Sequence, residues 1–238
     1  SVPNRGILLF GRTGSGKSTL SLYLAGVKLQ SKENMERGFL YLDCVENLDH
    51  KKTEGIRIGH LNVSETTKPG KIITKFGDEN DEDLVIFDCP GFDDMGRDDV
   101  FQEVKNIASI SELLNRIKEI KILFVVPYSH LQQRAVDLSR DLETLSKMFT
   151  DDGLHQISDS ISLAVTKTKP NQTIEHVTNS LKSILKEQRM ANNLRILLEK
   201  FIENLIIFPE PSQEAADISQ LKEFYSNSPL AMKRLIQK

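Results

Sequence analysis

Eight residues near the start of the chain, Gly11-Arg12-Thr13-Gly14-Ser15-Gly16-Lys17-Ser18, fit the pattern GxxxxGK[ST] without a mismatch. Glycines at this spacing let the backbone wrap an anion with its N–H groups turned inward. A helix starting at the end of the loop adds the positive end of its dipole, worth about 0.3–1 kcal/mol near the surface. Lys17 is placed to reach the β- and γ-phosphates of a nucleoside triphosphate, and the Ser18 hydroxyl to ligate Mg²⁺. Thr19, the next residue, completes the binding segment. The dinucleotide fingerprint GxGxxG is absent from this segment.

A second group capable of phosphate chemistry is Asp88-Cys89-Pro90-Gly91, at the end of the apolar run Leu84 to Phe87. An aspartate there can hold the Mg²⁺ shell, commonly through water, because Mg²⁺ keeps several of its waters. Gly91 can offer its backbone N–H to a γ-phosphate and lose that bond on hydrolysis, which is the logic of a switch. Upstream lie Thr66 and Thr67. Either hydroxyl could complete Mg²⁺ coordination while the backbone N–H contacts the γ-phosphate. Lys17, Thr66, Thr67 and Gly91 are therefore the candidate catalytic residues, and Ser18, Thr66, Thr67 and Asp88 the candidate metal ligands.

The order of phosphate loop, Ser64-Glu65-Thr66-Thr67 and Asp88-Cys89-Pro90-Gly91-Phe92-Asp93-Asp94 resembles the translation-factor-related (TRAFAC) P-loop GTPases. It is most similar to their septin and immunity-associated (GIMAP-like) branch, whose members carry DTPGF-type sequences. The resemblance spans Ile7 to Phe208. It implies a Ras-like fold, binding of GTP or GDP with Mg²⁺, and a homodimer or oligomer formed through the nucleotide face. It also assigns base contacts to Thr166 and Lys167, the first two residues of Thr166-Lys167-Thr168-Lys169, where the family carries [NT]KxD.

Two positions depart from that pattern. Lys169 stands where the family's aspartate accepts hydrogen bonds from guanine, and a lysine has donors only. The stem of Lys167 can still pack along a purine ring. Phe92 follows Gly91, where a Ras-type glutamine would orient the attacking water. Slow intrinsic hydrolysis is expected unless Arg12, Arg97 or Arg134 supplies charge to the γ-phosphate.

These residues need a scaffold, and the chain alternates strand and helix patterns. That alternation predicts a three-layer α/β/α P-loop NTPase (Ras-like) fold, with a mostly parallel sheet and one antiparallel hairpin strand. Gly6 to Phe10 reads as a buried first strand, and a helix is expected from Lys17 to about Leu29. Phe39 to Leu42 and Ile56 to Ile58 are strand candidates. Lys71–Phe76 and Leu84–Phe87 are expected to pair antiparallel across the acidic linker 77–83, itself read as a solvated turn. Asp98 is a candidate N-cap for the following helix. Lys121 to Val126 is a buried strand, followed by a helix through Leu138, Leu142, Leu145 and Met148 that Gly153 closes. Ile161 to Val165 is the next strand. Ile174 to Ile202 reads as one long helix or two, and Leu205 to Phe208 as the last strand before a helix near Ala215. All 238 residues are read as one domain, with an elaborated first switch region at about 30–70.

Composition narrows the classes. Hydrophobic residues at 39% and charged residues at 27% fit a globular chain rather than a disordered one. A net charge of −3 argues against nucleic acid as the main partner. Two cysteines, Cys44 and Cys89, with no CxxC pair, suggest a reducing, cytoplasmic setting. No apolar run reaches the ~20 residues of a transmembrane helix. Ser1-Val2-Pro3-Asn4-Arg5 lacks the pattern of a signal peptide, and the C-terminus lacks a prenylation box. Among His50, His60, His130, His155 and His176 there is no HxxxH-type pair, and no GxSxG elbow occurs. The expected function is thus a Mg²⁺-dependent GTPase switch. A nucleotide-stabilised dimerising scaffold with little turnover, or an ATP-using P-loop enzyme, are the alternatives.

Overall fold

The computed structural model describes residues 5–27, 29–34, 39–44, 53–54, 69–75, 83–91, 117, 119–132, 136–147, 160–169, 171–187 and 190–209. In chain order these form β1 (Arg5–Phe10), α1 (Lys17–Leu24), β2 (Leu29–Asn34), β3 (Phe39–Cys44), β4 (Thr53–Glu54), β5 (Gly70–Lys75) and β6 (Asp83–Asp88). There follow β7 (Glu119–Pro127), a 3₁₀ turn (Tyr128–Leu131), α2 (Val136–Lys147), β8 (Ile161–Thr168), α3 (Ile174–Glu187), α4 (Asn192–Glu203) and β9 (Leu205–Pro209).

Seven strands form one sheet in the order β4-β5-β6-β1-β7-β8-β9. β6, β1, β7, β8 and β9 run parallel, while β5 pairs antiparallel with β6, and β4 with β5. The strands alternate their burial partners because successive side chains point to opposite faces. In β1, Leu8 and Phe10 join a core with Leu138, Leu142 and Leu145 of α2, Val177 and Leu181 of α3, and Leu198 and Phe201 of α4. Ile7 and Leu9 join the opposite core with Leu20, Leu22 and Leu24 of α1. The result is the three-layer Ras-like P-loop α/β fold, with helices on both sheet faces. Phe124 of β7 stacks on Phe10 and Phe201, at ring separations of 6.5 and 5.6 Å. Truncating so enclosed a ring to alanine costs about 3–5 kcal/mol.

Several boundaries differ from the sequence expectation. α1 stops at Leu24 rather than near Leu29. Gly26, at φ 77°, turns the chain so that its N–H reaches Tyr23 O and the Val27 N–H reaches Leu22 O. This double bond pattern is a Schellman helix end, which satisfies carbonyls that would otherwise be orphaned. Leu29 then opens β2, which pairs antiparallel with β3 in a separate two-stranded sheet. β8 runs on beyond Val165 to Thr168, with an irregularity in its pairing to β9 between Thr166 and Thr168. The Ile174 to Ile202 stretch forms two helices. The strand expected at Ile56 to Ile58, the helix after Asp98, Met148, Gly153 and the helix near Ala215 lie outside the described residues.

Candidate phosphate-binding site

The parallel strands β1, β6, β7 and β8 bring their C-terminal ends to one edge of the sheet, the side where open α/β sheets bind ligands. β1 delivers Gly11 to Ser18 there. Gly14 and Gly16 take left-handed φ values of 74° and 93°, so the loop turns back and feeds α1 at Lys17. Gly11 is required for a different reason. A Cβ at this position would lie inside 3.0 Å of Val125 O, a backbone atom of the neighbouring strand.

Lys17 lies folded across the loop it follows. Its side chain is buried, and Nζ donates to Gly11 O at 2.9 Å and to Arg12 O at 2.8 Å. An ammonium bridged between two loop carbonyls is held inside the cradle rather than in solvent. Thr13 Oγ1 and Ser15 Oγ are both buried, with no hydrogen-bond partner among the described residues. Buried hydroxyls of this kind are the groups a bound polar ligand would satisfy.

β6 delivers Asp88 to the same edge, in register with Leu9 of β1 and fully buried. Cys89, also fully buried, has its thiol pushed well above the usual range, first by burial and then by the Asp88 carboxylate. Lys17 opposes that shift, so the carboxylate and the ammonium both act on one thiol. Gly91 then meets the loop itself. A Cβ on Gly91 would fall inside 3.0 Å of the N, Cα and Oγ1 atoms of Thr13. The close approach of the two motifs was not legible in the sequence, since nothing in either motif encodes the contact between them.

β8 brings up Thr166, whose Oγ1 donates to Ser15 O at 2.6 Å. Thr166 is buried, so its side chain braces the loop. Lys167 takes a left-handed φ of 55° and is exposed. Lys169 is exposed as well; its N–H donates to Gln172 Oε1 at 2.7 Å, and its carbonyl accepts the Gln172 N–H at 2.9 Å.

Arg12 is arranged differently from the rest of the loop. Its Nε pairs with Asp141 Oδ1 on α2, and Asp141 Oδ2 lies 2.6 Å from His130 Nδ1 in the 3₁₀ turn. The Asp141 side chain is 1% exposed. Sequence reasoning missed this carboxylate, although it had a signal. Asp141 falls on the Leu138–Leu142–Leu145 stripe, where a helix otherwise turns apolar side chains to the core. Thr66, Thr67, Phe92, Arg97 and Arg134 lie outside the described residues.

The fold and the loop at its β1–α1 turn define a P-loop α/β protein of Ras-like topology. No family model matches the chain, and no curated protein matches its sequence. Among solved structures the chain is similar to a glycine-to-proline variant of SsGBP, at 13% identity and a TM-score of 0.44, over 98% of this chain and 57% of that one. The chain thus spans little more than half the length of that protein. A nucleolar GTP-binding protein 1 from Plasmodium falciparum gives 14% identity and a TM-score of 0.38, over 100% and 94% of the two chains. The signal recognition particle receptor SRb-GTP/SRX complex from Chaetomium thermophilum gives 15%, 0.41, 88% and 90%. Among the described residues, no helix is long and apolar enough to cross a membrane.

Proposed function

We propose that the chain is a GTP-binding protein, a Mg²⁺-dependent GTPase with slow intrinsic hydrolysis that acts as a nucleotide-controlled switch. One observation carries this reading: Gly91 packs directly on Thr13 of the phosphate loop. A γ-phosphate held in the loop would therefore lie within reach of the Asp88–Gly91 turn, so that gain or loss of that phosphate moves the turn.

The chain's own groups divide the work. Loop N–H groups and the α1 N-terminus receive the phosphates, and Lys17, already held across the loop, meets the β- and γ-oxygens. Ser18 and Asp88 would hold Mg²⁺, since a hydroxyl and a buried carboxylate are the hard oxygen donors that ion prefers. Bound there, the ion would neutralise charge on the phosphate oxygens. Thr66 and Thr67 are the proposed first-switch hydroxyls, and Thr166 and Lys167 the residues beside the base.

Titration with fluorescent GTP and GDP in Mg²⁺ tests the reading. Tight binding that Lys17→Ala abolishes is expected, and no binding of either nucleotide would sink it. A second reading, a nucleotide-stabilised dimer with little turnover, gains support from Arg12, whose guanidinium is engaged by Asp141. Molecular mass measured with GTP, with GDP and without nucleotide separates the two readings, alongside a turnover assay. Fast multiple turnover as a monomer would exclude the scaffold.

A further inference from the structure

We propose that Asp141 is a positioning residue for the phosphate loop, acting through Arg12 on Lys17. The inference rests on the loop's being the nucleotide site and adds a residue outside every motif.

A buried carboxylate is costly unless it is paired and hydrogen-bonded. Asp141 sits on the core side of α2 between Leu138, Leu142 and Leu145, where an apolar residue would pack without that cost. What the carboxylate does instead is hold two groups. One oxygen forms an ion pair with the Arg12 Nε, and the other a hydrogen bond with His130 Nδ1.

Arg12 is thereby fixed from both ends. Its guanidinium is tied to α2, and its carbonyl accepts the Lys17 ammonium at 2.8 Å and the Ser15 N–H at 3.2 Å. That carbonyl and the Gly11 carbonyl both take the Lys17 ammonium, so the direction of the Arg12 carbonyl helps to aim the lysine. Asp141 thus sets the lysine's position through one intervening residue. His130 anchors the carboxylate from its other oxygen, one step further from the loop.

The test is a double-mutant cycle on affinity for fluorescent GTP and GDP, using Asp141→Asn, Arg12→Ala and the pair. Each single change should weaken binding roughly tenfold, and the pair should be no weaker than either single, because both remove one link. His130→Ala should lower the melting temperature as much as Asp141→Asn does while weakening affinity less than about threefold; affinity losses that merely track the melting temperature across the variants would mark the network as purely structural and overturn the proposal. Additive losses, unchanged affinity in Asp141→Asn, or tighter binding would each overturn the proposal; the last would mean that Asp141 withholds Arg12 from the phosphates. If Asp141→Asn does not fold, Arg12→Lys decides, since it keeps a cation for Asp141. Recovery relative to Arg12→Ala supports the relay, and equal loss removes it. Wild-type protein that binds no nucleotide would remove the nucleotide reading itself, whereas normal binding with insensitive variants removes the role of Asp141 alone.

Discussion

Thr166 Oγ1 donates to Ser15 O at 2.6 Å, which fastens the end of β8 to the phosphate loop across 151 residues of sequence. A longer contact, 3.4 Å, joins the same hydroxyl to Val126 O of β7. The residue that sequence places beside a base therefore also holds the loop that would receive the phosphates. Under the proposed function, the base and phosphate subsites would form one mechanical unit at this point.

Thr166→Val keeps the shape and removes the hydroxyl. Ser15 O then loses a buried partner, at a cost of about 1–3 kcal/mol. Denaturant unfolding should show that loss. GTP and GDP affinities should fall together, because the loop is loosened rather than any one phosphate contact removed. A change confined to GTP would contradict the bracing role.

Much of this arrangement was legible in the sequence, and the gaps have physical causes. The loop motif, the apolar strand before it and the run ending in Asp88 encode local geometry, so β1, the start of α1 and β6 fall where the residues say. The end of α1 was harder, because Leu29 continues an apolar pattern that Gly26 interrupts with a left-handed turn. β2, Leu-Gln-Ser-Lys-Glu-Asn, carries neither a strand's alternation nor its composition; its pairing with β3 supplies the hydrogen bonds. The Asp141–Arg12 and Gly91–Thr13 contacts join residues distant in sequence, and no spacing rule encodes them.

Gly91→Ala should be severe. The new Cβ would meet Thr13 backbone atoms as well as its side chain, so Thr13→Ala cannot relieve the clash. Either the Asp88–Gly91 turn or the loop must shift. Under the switch reading, GTP should lose more affinity than GDP, since the γ-phosphate is the group nearest the displaced turn. Comparison of the two dissociation constants checks this, and equal losses would argue that Gly91 does not sense the third phosphate.

Cys89 gives the fold an alkaline weakness. Burial, and then Asp88, hold its thiol well above the usual range. Below pH about 8.5 the thiol is protonated in folded and unfolded chains alike and contributes nothing to the pH dependence. Above it the unfolded chain ionises and the folded one does not, so stability falls by up to about 1.4 kcal/mol per pH unit. Cys89→Ala should flatten that alkaline limb in urea unfolding between pH 8 and 10. The native thiol should also react slowly with iodoacetamide at pH 8, because the thiolate is the nucleophile. Rapid alkylation of Cys89 in folded protein, located by peptide mapping, would contradict its burial.

Lys169→Asp should strengthen the preference for guanine over adenine. The turn it occupies is already built: Lys169 N–H and carbonyl are both bonded to Gln172, and Lys167 before it takes a left-handed φ of 55°. Lys169 is exposed, so the exchange displaces no packed group. A carboxylate can accept from the guanine N1–H and exocyclic amine, whereas an ammonium can only donate. Sites that read a polar group with a matching partner discriminate by about 10⁴-fold, and without one they do not. Wild-type protein should therefore bind GTP over ATP by less than about tenfold, its affinity coming from the phosphates. Lys169→Asp should raise that preference by at least about tenfold, mainly through tighter GTP binding. Competition of GTP and ATP against one fluorescent nucleotide measures both proteins directly. A strong GTP preference in the wild type, unchanged by the substitution, would place guanine recognition on residues other than 169.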